Sequence, residues 1–82
     1  MMDTKPIEFR TGFLRGEARV KTCQMREPTV DDQMNAQGTG KTAAAQELHL
    51  FASLCDLTPD ELRSLSLHDY GRVQQAYQDF LE

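Results

Sequence analysis

A glycine-rich segment, G-T-G-K-T at positions 38–42, resembles the end of a phosphate-binding loop. The full pattern, G-x-x-x-x-G-K-[ST], places its first glycine at position 35, which here holds Asn35. The pattern also needs a buried strand directly before the loop, and residues 28–34, with a proline and two acids, do not form one. We therefore predict a flexible loop at 35–41 and no nucleotide site.

The sequence also lacks a recognisable motif for metal binding or for catalysis. Four side chains could supply zinc ligands: Cys23, His49, Cys55 and His68. Their spacings match none of the short repeats of zinc sites. The adjacent acids at 31–32 and 60–61 lie at predicted helix starts, where capping and the helix dipole account for them. We predict a non-enzymatic protein with no catalytic residue, no metal and no cofactor.

The composition describes a small acidic chain. Its 82 residues carry a net charge of −4, which opposes binding to nucleic-acid phosphates. No apolar run approaches the roughly 18 to 20 residues that cross a bilayer. The first residues lack the apolar core of a signal peptide. We expect a single domain over residues 1–82 in the cytoplasm, with no nucleic-acid or membrane partner.

Residues 5–27 show the period of a β-hairpin. Four alternate residues fall on one side of a first strand: Ile7, Phe9, Thr11 and Phe13. Gly16 is the predicted turn residue, and a second strand runs from Ala18 to Met25. Val20, Cys23 and Met25 share one face of that second strand only if it contains a bulge. Residues 1–28 hold six bases and four acids, whereas residues 29–82 hold three bases and nine acids.

Residues 29–82 show helical signals. Thr29 is the predicted cap of a short helix, and Thr42 that of a helix from Ala43 to about Asp56. Thr58-Pro59-Asp60-Glu61 combines a capping box with proline at the first helical position. Ser66 can cap a last helix, with Asp69 three residues later. The expected fold class is α+β: a β-hairpin at 5–27 followed by three to four short helices over 29–82.

The helix that begins at Ala43 is apolar over roughly 220° of its circumference, wider than an ordinary amphipathic stripe. Either the hairpin and the last helix cover both of its sides, or part of it forms an open groove for a partner or a second copy. The predicted partner-binding residues on this helix are Leu48, Leu50, Phe51 and Leu54. Self-association is an additional expectation, because a domain of this size has a small core.

The order of short motifs along the chain resembles a known family. Three segments carry the resemblance: Met25-Arg26-Glu27-Pro28-Thr29-Val30-Asp31-Asp32, Leu54-Cys55-Asp56-Leu57-Thr58-Pro59-Asp60-Glu61-Leu62, and Leu65-Ser66-Leu67-His68-Asp69-Tyr70 running into Val73, Ala76 and Phe80-Leu81. They resemble the small tail assembly chaperones of long-tailed phages, in the Mu-like and P2-like group. Met25 and Val73 stand where leucine is common in that family, and both are changes that a core tolerates.

The resemblance implies a function. Such proteins bind the long tape measure protein and keep it soluble in the host cytoplasm until the tail tube closes around it. They also recruit tail tube protein, many have a longer form made by ribosomal slippage, and they are absent from the mature virion. A phage-encoded regulator that docks on a host protein is the alternative function, and a nucleotide-binding module is a third hypothesis.

Overall fold

The computed structural model describes residues 3–82 as a β-hairpin followed by four helices, which confirms the predicted α+β class. The elements are β1 (Thr4–Arg15), β2 (Ala18–Arg26), α1 (Val30–Gln37), α2 (Ala43–Cys55), α3 (Pro59–Arg63) and α4 (Leu67–Leu81). None of the helices within residues 3–82 has the length and apolar character needed to span a bilayer.

The two strands pair in antiparallel register around a tight turn. Arg15 pairs with Ala18, and Gly16 adopts a positive φ of 64°, as the predicted turn requires. The pairing then shifts between Phe13 with Val20 and Glu8 with Thr22. The sheet has these two strands alone within the described residues.

The irregularity lies in β1 and not in β2, so the prediction of a bulge in the second strand is wrong. Residues 9–12 of β1 lie opposite Lys21 alone. Gly12 has a φ of 90°, and a β-carbon there would overlap the carbonyl oxygen of Val20. Thr11 is exposed in this bulge instead of joining the buried side, because the extra residues break the alternation.

Each helix begins at a predicted cap. Thr29, Thr42, Thr58 and Ser66 each accept a hydrogen bond from the backbone N–H three residues later. The capping box of Thr58 and Glu61 is confirmed, with Pro59 in the first turn. A second capping box joins Thr29 and Asp32.

Helix α1 is longer than predicted. It continues to Gln37, and Gly38 caps its carboxyl-terminal end. The connection to α2 therefore comprises residues 38–42, whereas the expected loop was 35–41. The physical reason is packing between α1 and α2, which buries Ala36. The prediction relied on the glycines at 38 and 40, which carry no information about this contact between helices.

One core joins the sheet to the helices. Its largest fully buried side chains are Phe13, Met25, Phe51, Leu54, Leu62, Asp69 and Val73. Helix α2 contacts β2, α1 and α3, while α4 packs across β1. The carboxyl-terminal half of α2 thus lies at the centre of the domain.

Candidate partner-binding surface

The four predicted binding residues fall into two groups. Phe51 and Leu54 each expose only 2% of their surface. The Phe51 ring lies between Tyr70 and Tyr77 of α4, with ring centroids 5.8 and 5.3 Å away. Both side chains belong to the core, so the surface open to a partner narrows to Leu48 and Leu50, which are partly exposed.

A groove next to Leu50, the Leu50 groove, lies between α1, α2 and α4. Its volume is about 390 Å³. It is lined by Gln33, Ala36, Gln37, Ala43, Gln46, Glu47, Leu50, Phe51, Gln74, Tyr77 and Gln78. The apolar lining comes from leucine, alanine and aromatic side chains, and the five glutamines supply neutral donors and acceptors. A surface of this kind can bind an apolar polypeptide segment and form hydrogen bonds with the polar groups at the edges of that segment.

A second groove, the Leu48 groove, lies on another side of α2, between α3 and the start of α4. Its volume is about 400 Å³. It is lined by Thr42, Ala44, Ala45, Leu48, Leu62, Arg63, Leu65, Leu67 and Tyr70. Leu67 exposes 91% of its surface although it is a large apolar residue. Leu67 is the first residue of α4. The sequence predictions did not include it, although a leucine directly after the Ser66 cap was a signal available for this site.

A hydrogen-bonded bridge lies between the two grooves. The Tyr70 hydroxyl donates to Glu47 Oε1 at 2.9 Å, and Gln74 Nε2 donates to the same oxygen at 3.0 Å. Burial raises the pKa of Tyr70, and the neighbouring Glu47 carboxylate raises it further. The bridge ties α4 to the amino-terminal half of α2.

Asp69 fixes the position of α4, a role that the sequence did not reveal. Its fully buried carboxylate accepts the backbone N–H groups of Arg10, Thr11 and Gly12 at 2.8, 2.9 and 3.0 Å. Burial by itself would raise the pKa of Asp69, but these donors, together with Ser66, outweigh it and lower the pKa to about 2. The backbone N–H groups of the β1 bulge therefore bind the Asp69 carboxylate.

An ion pair fixes the position of α1. Arg26 at the end of β2 donates to both carboxylate oxygens of Asp32 at 2.6 Å, and to Ser53 Oγ on α2 at 3.2 Å. The guanidinium is the main cause that lowers the pKa of Asp32 to about 2, with Thr29 adding to it. Since Asp32 is also the capping-box acid, one side chain both starts α1 and holds it against the hairpin.

Neither groove is lined by a residue that was weighed for a nucleotide or metal site: Lys41, Cys23, His49, Cys55 or His68. Lys41 is exposed on the connection between α1 and α2. Among residues 3–82, no group of three or more histidine, cysteine or acidic side chains is placed to hold a metal ion. Of the four candidate zinc ligands, Cys55 is buried in the core and Cys23 lies beside it, partly buried.

The fold is that of a small α+β domain whose most apolar helix is open along two grooves. Residues 6–82 match the family model described as phage tail assembly chaperone proteins, E, or 41 or 14. The chain therefore belongs to this family of phage tail assembly chaperones, as the resemblance predicted. No curated protein and no solved structure showed a significant similarity.

Proposed function

We propose that this chain binds the tape measure protein of its phage and keeps it soluble in the host cytoplasm until tail assembly. Family membership supports a role in tail assembly, and proteins with that role have protein partners. The observation that carries the proposal is the open amino-terminal half of α2, where Leu48 and Leu50 face separate grooves of about 400 and 390 Å³.

The grooves suit an amphipathic helical segment. An apolar helix face buries leucine-sized side chains in a groove of this kind, and its polar flanks meet the groove edges. The glutamines that line the Leu50 groove hydrogen-bond without adding charge, and the Glu47 carboxylate in the same lining already accepts hydrogen bonds from Tyr70 and Gln74. The lining therefore tolerates varied polar groups on the flanks of the partner. A chaperone that shields many similar segments of a long protein benefits from this tolerance.

Co-expression with the tape measure protein tests the proposal. The chain should retain the tape measure protein in the soluble fraction and co-purify with it. Leu50→Asp should abolish both results, because it places an unpaired charge in an apolar contact. Leu48→Asp tests the second groove in the same way.

Leu81→Asp is the matched control. Leu81 is 59% exposed and lies outside both grooves, so the same chemical change there should leave solubility and co-purification intact. Leu50→Gln provides a milder variant that introduces the side chain already present at the groove edge. If folded Leu50→Asp and Leu48→Asp variants both solubilise the tape measure protein as well as the unchanged chain does, the grooves are not the contact surface.

A further inference from the structure

The two outer edges of the hairpin differ in how their backbone groups are satisfied. Along β1, the N–H groups of Arg10, Thr11 and Gly12 donate to Asp69, and the N–H of Leu14 donates to Ser64 Oγ at 2.8 Å. Helices α3 and α4 therefore cover the β1 edge at residues 10–14, and no further strand can pair along that part of the edge.

The β2 edge carries no comparable cover. Within residues 3–82, β2 pairs with β1 on one side, and no helix or loop group hydrogen-bonds to the backbone of residues 18–24. The side chains of Arg19, Lys21, Thr22 and Gln24 are exposed. We call this segment the β2 edge. Unpaired N–H and C=O groups along such an edge are a template for an added strand.

The charge of β2 selects the kind of strand that can pair. The strand carries three bases and no acid. Arg26 is engaged by Asp32, whereas Lys21 forms no ion pair among the described residues. Arg19 donates to the carbonyl oxygen of Gly12 at 3.3 Å and keeps its charge exposed.

A second copy of this chain does not suit the β2 edge. Pairing two β2 edges would bring the bases of one copy next to those of the other, and like charges on adjacent strands are destabilising. An extended segment that presents carboxylates to Arg19 and Lys21 has the complementary charge. We propose that the β2 edge binds an extended acidic segment of a partner protein by β-strand addition, at a site separate from both grooves.

Three peptides of equal length test this proposal by amide NMR titration and hydrogen exchange. The first, acetyl-Thr-Glu-Val-Glu-Val-Glu-Thr-amide, should bind at low ionic strength and slow the exchange of amides within residues 18–24. The second replaces both valines with prolines, which keeps the charge but removes two N–H donors, and it should bind at least tenfold more weakly. The third replaces the glutamates with lysines and should not bind.

Variants of the chain complete the test. Lys21→Glu should weaken binding of the first peptide at least tenfold and allow the lysine peptide to bind. Lys41→Glu is the matched control, because it makes the same substitution at an exposed residue outside the hairpin. If Lys21→Glu fails to fold, Lys21→Gln takes its place, and we expect a smaller loss of affinity for the first peptide.

Three results would overturn the proposal. The first is no binding of the glutamate–valine peptide. The second is equal binding of the proline peptide, which would show that the peptide binds through its charge and not by adding a strand. The third is an equal loss of binding in the variants at positions 21 and 41, or binding without protection of residues 18–24.

Discussion

The two halves of α2 belong to one continuous helix but have different surroundings. In the carboxyl-terminal half, Phe51, Ala52, Leu54 and Cys55 are buried by the hairpin and the neighbouring helices. In the amino-terminal half, residues 43–50 are exposed or partly exposed and border two grooves. One half thus supplies core, and the other leaves apolar surface available to a partner.

This difference explains how a small chain can be stable and still offer apolar surface. A domain of this size has little core to spare. Concentrating the buried contacts at one end of the helix leaves Leu48 and Leu50 at the other end only partly covered. Substitutions at the buried end should therefore change stability, and those at the open end should change binding.

The largest expected effect is at the buried end. Phe51→Asp should unfold the domain, because it places a charge between Tyr70 and Tyr77 in the apolar core. Circular dichroism and thermal melting would detect the loss. By contrast, Leu50→Asp, one residue earlier, should keep the helical spectrum with a melting temperature close to that of the unchanged chain. Equal unfolding in both variants would mean that the two halves do not differ as described.

The next effect concerns the attachment of α4. Asp69→Ala should cost roughly 3 to 5 kcal/mol, because it leaves three backbone N–H groups without their carboxylate. Chemical denaturation would measure the change. Asp79→Ala is the control on the same helix, since Asp79 is exposed and its contact with Lys5 is a surface ion pair at 3.8 Å. A comparable loss in both variants would contradict the assigned role of Asp69.

The same carboxylate predicts an acid dependence. Asp69 has a folded-state pKa of about 2, below its ordinary value of 3.8. Its contribution to stability is therefore complete above about pH 4 and is lost as the pH falls from about 4 through 2. Asp32, with the same shift, adds to this loss. Denaturation at several pH values should show a shallower acid dependence for Asp69→Asn than for the unchanged chain, and identical slopes would contradict the pKa assignment.

A smaller effect is expected at the segment that follows the buried end of α2. Thr58→Ala should cost about 1 kcal/mol, because it removes the acceptor for the Glu61 N–H. Thermal denaturation would measure it. Thr58→Ser keeps the hydroxyl and should lose little, so an alanine variant that melts like the serine variant would show that the cap contributes nothing.

The smallest effect is expected at Lys41, which precedes the exposed amino-terminal half of α2. Lys41→Ala should change stability and partner binding by less than about 0.5 kcal/mol, as for an ordinary exposed residue. Melting curves with and without ATP and magnesium should coincide for both chains. A large effect on binding, or a shift with nucleotide, would revive the phosphate-loop hypothesis.

Local signals in the sequence predicted the elements well. The turn at Gly16, the four helix caps and the proline at the start of α3 each depend on a few neighbouring residues, and the structure has them all. These features are local, so a single sequence contains them. The wide apolar arc of α2 left two alternatives, cover on both sides or an open groove, and the sequence did not decide between them.

The missed features depend on residues far apart in the chain. The bulge in β1 is stabilised by Asp69, which lies 57 to 59 residues later, and no period within the strand reports that partner. The extra turn of α1 depends on burial of Ala36 against α2. The separation of Phe51 and Leu54 from Leu50 likewise depends on which side of α2 the other elements cover.

The contact between Asp69 and the β1 bulge also has a consequence for synthesis of the chain on the ribosome. Residues 10–12 emerge early, but the carboxylate that binds their N–H groups emerges 57 to 59 residues later. Until then those donors remain bonded to water, and α4 is not in place over β1. The hairpin therefore cannot complete these contacts until Asp69 and the rest of α4 have left the ribosome.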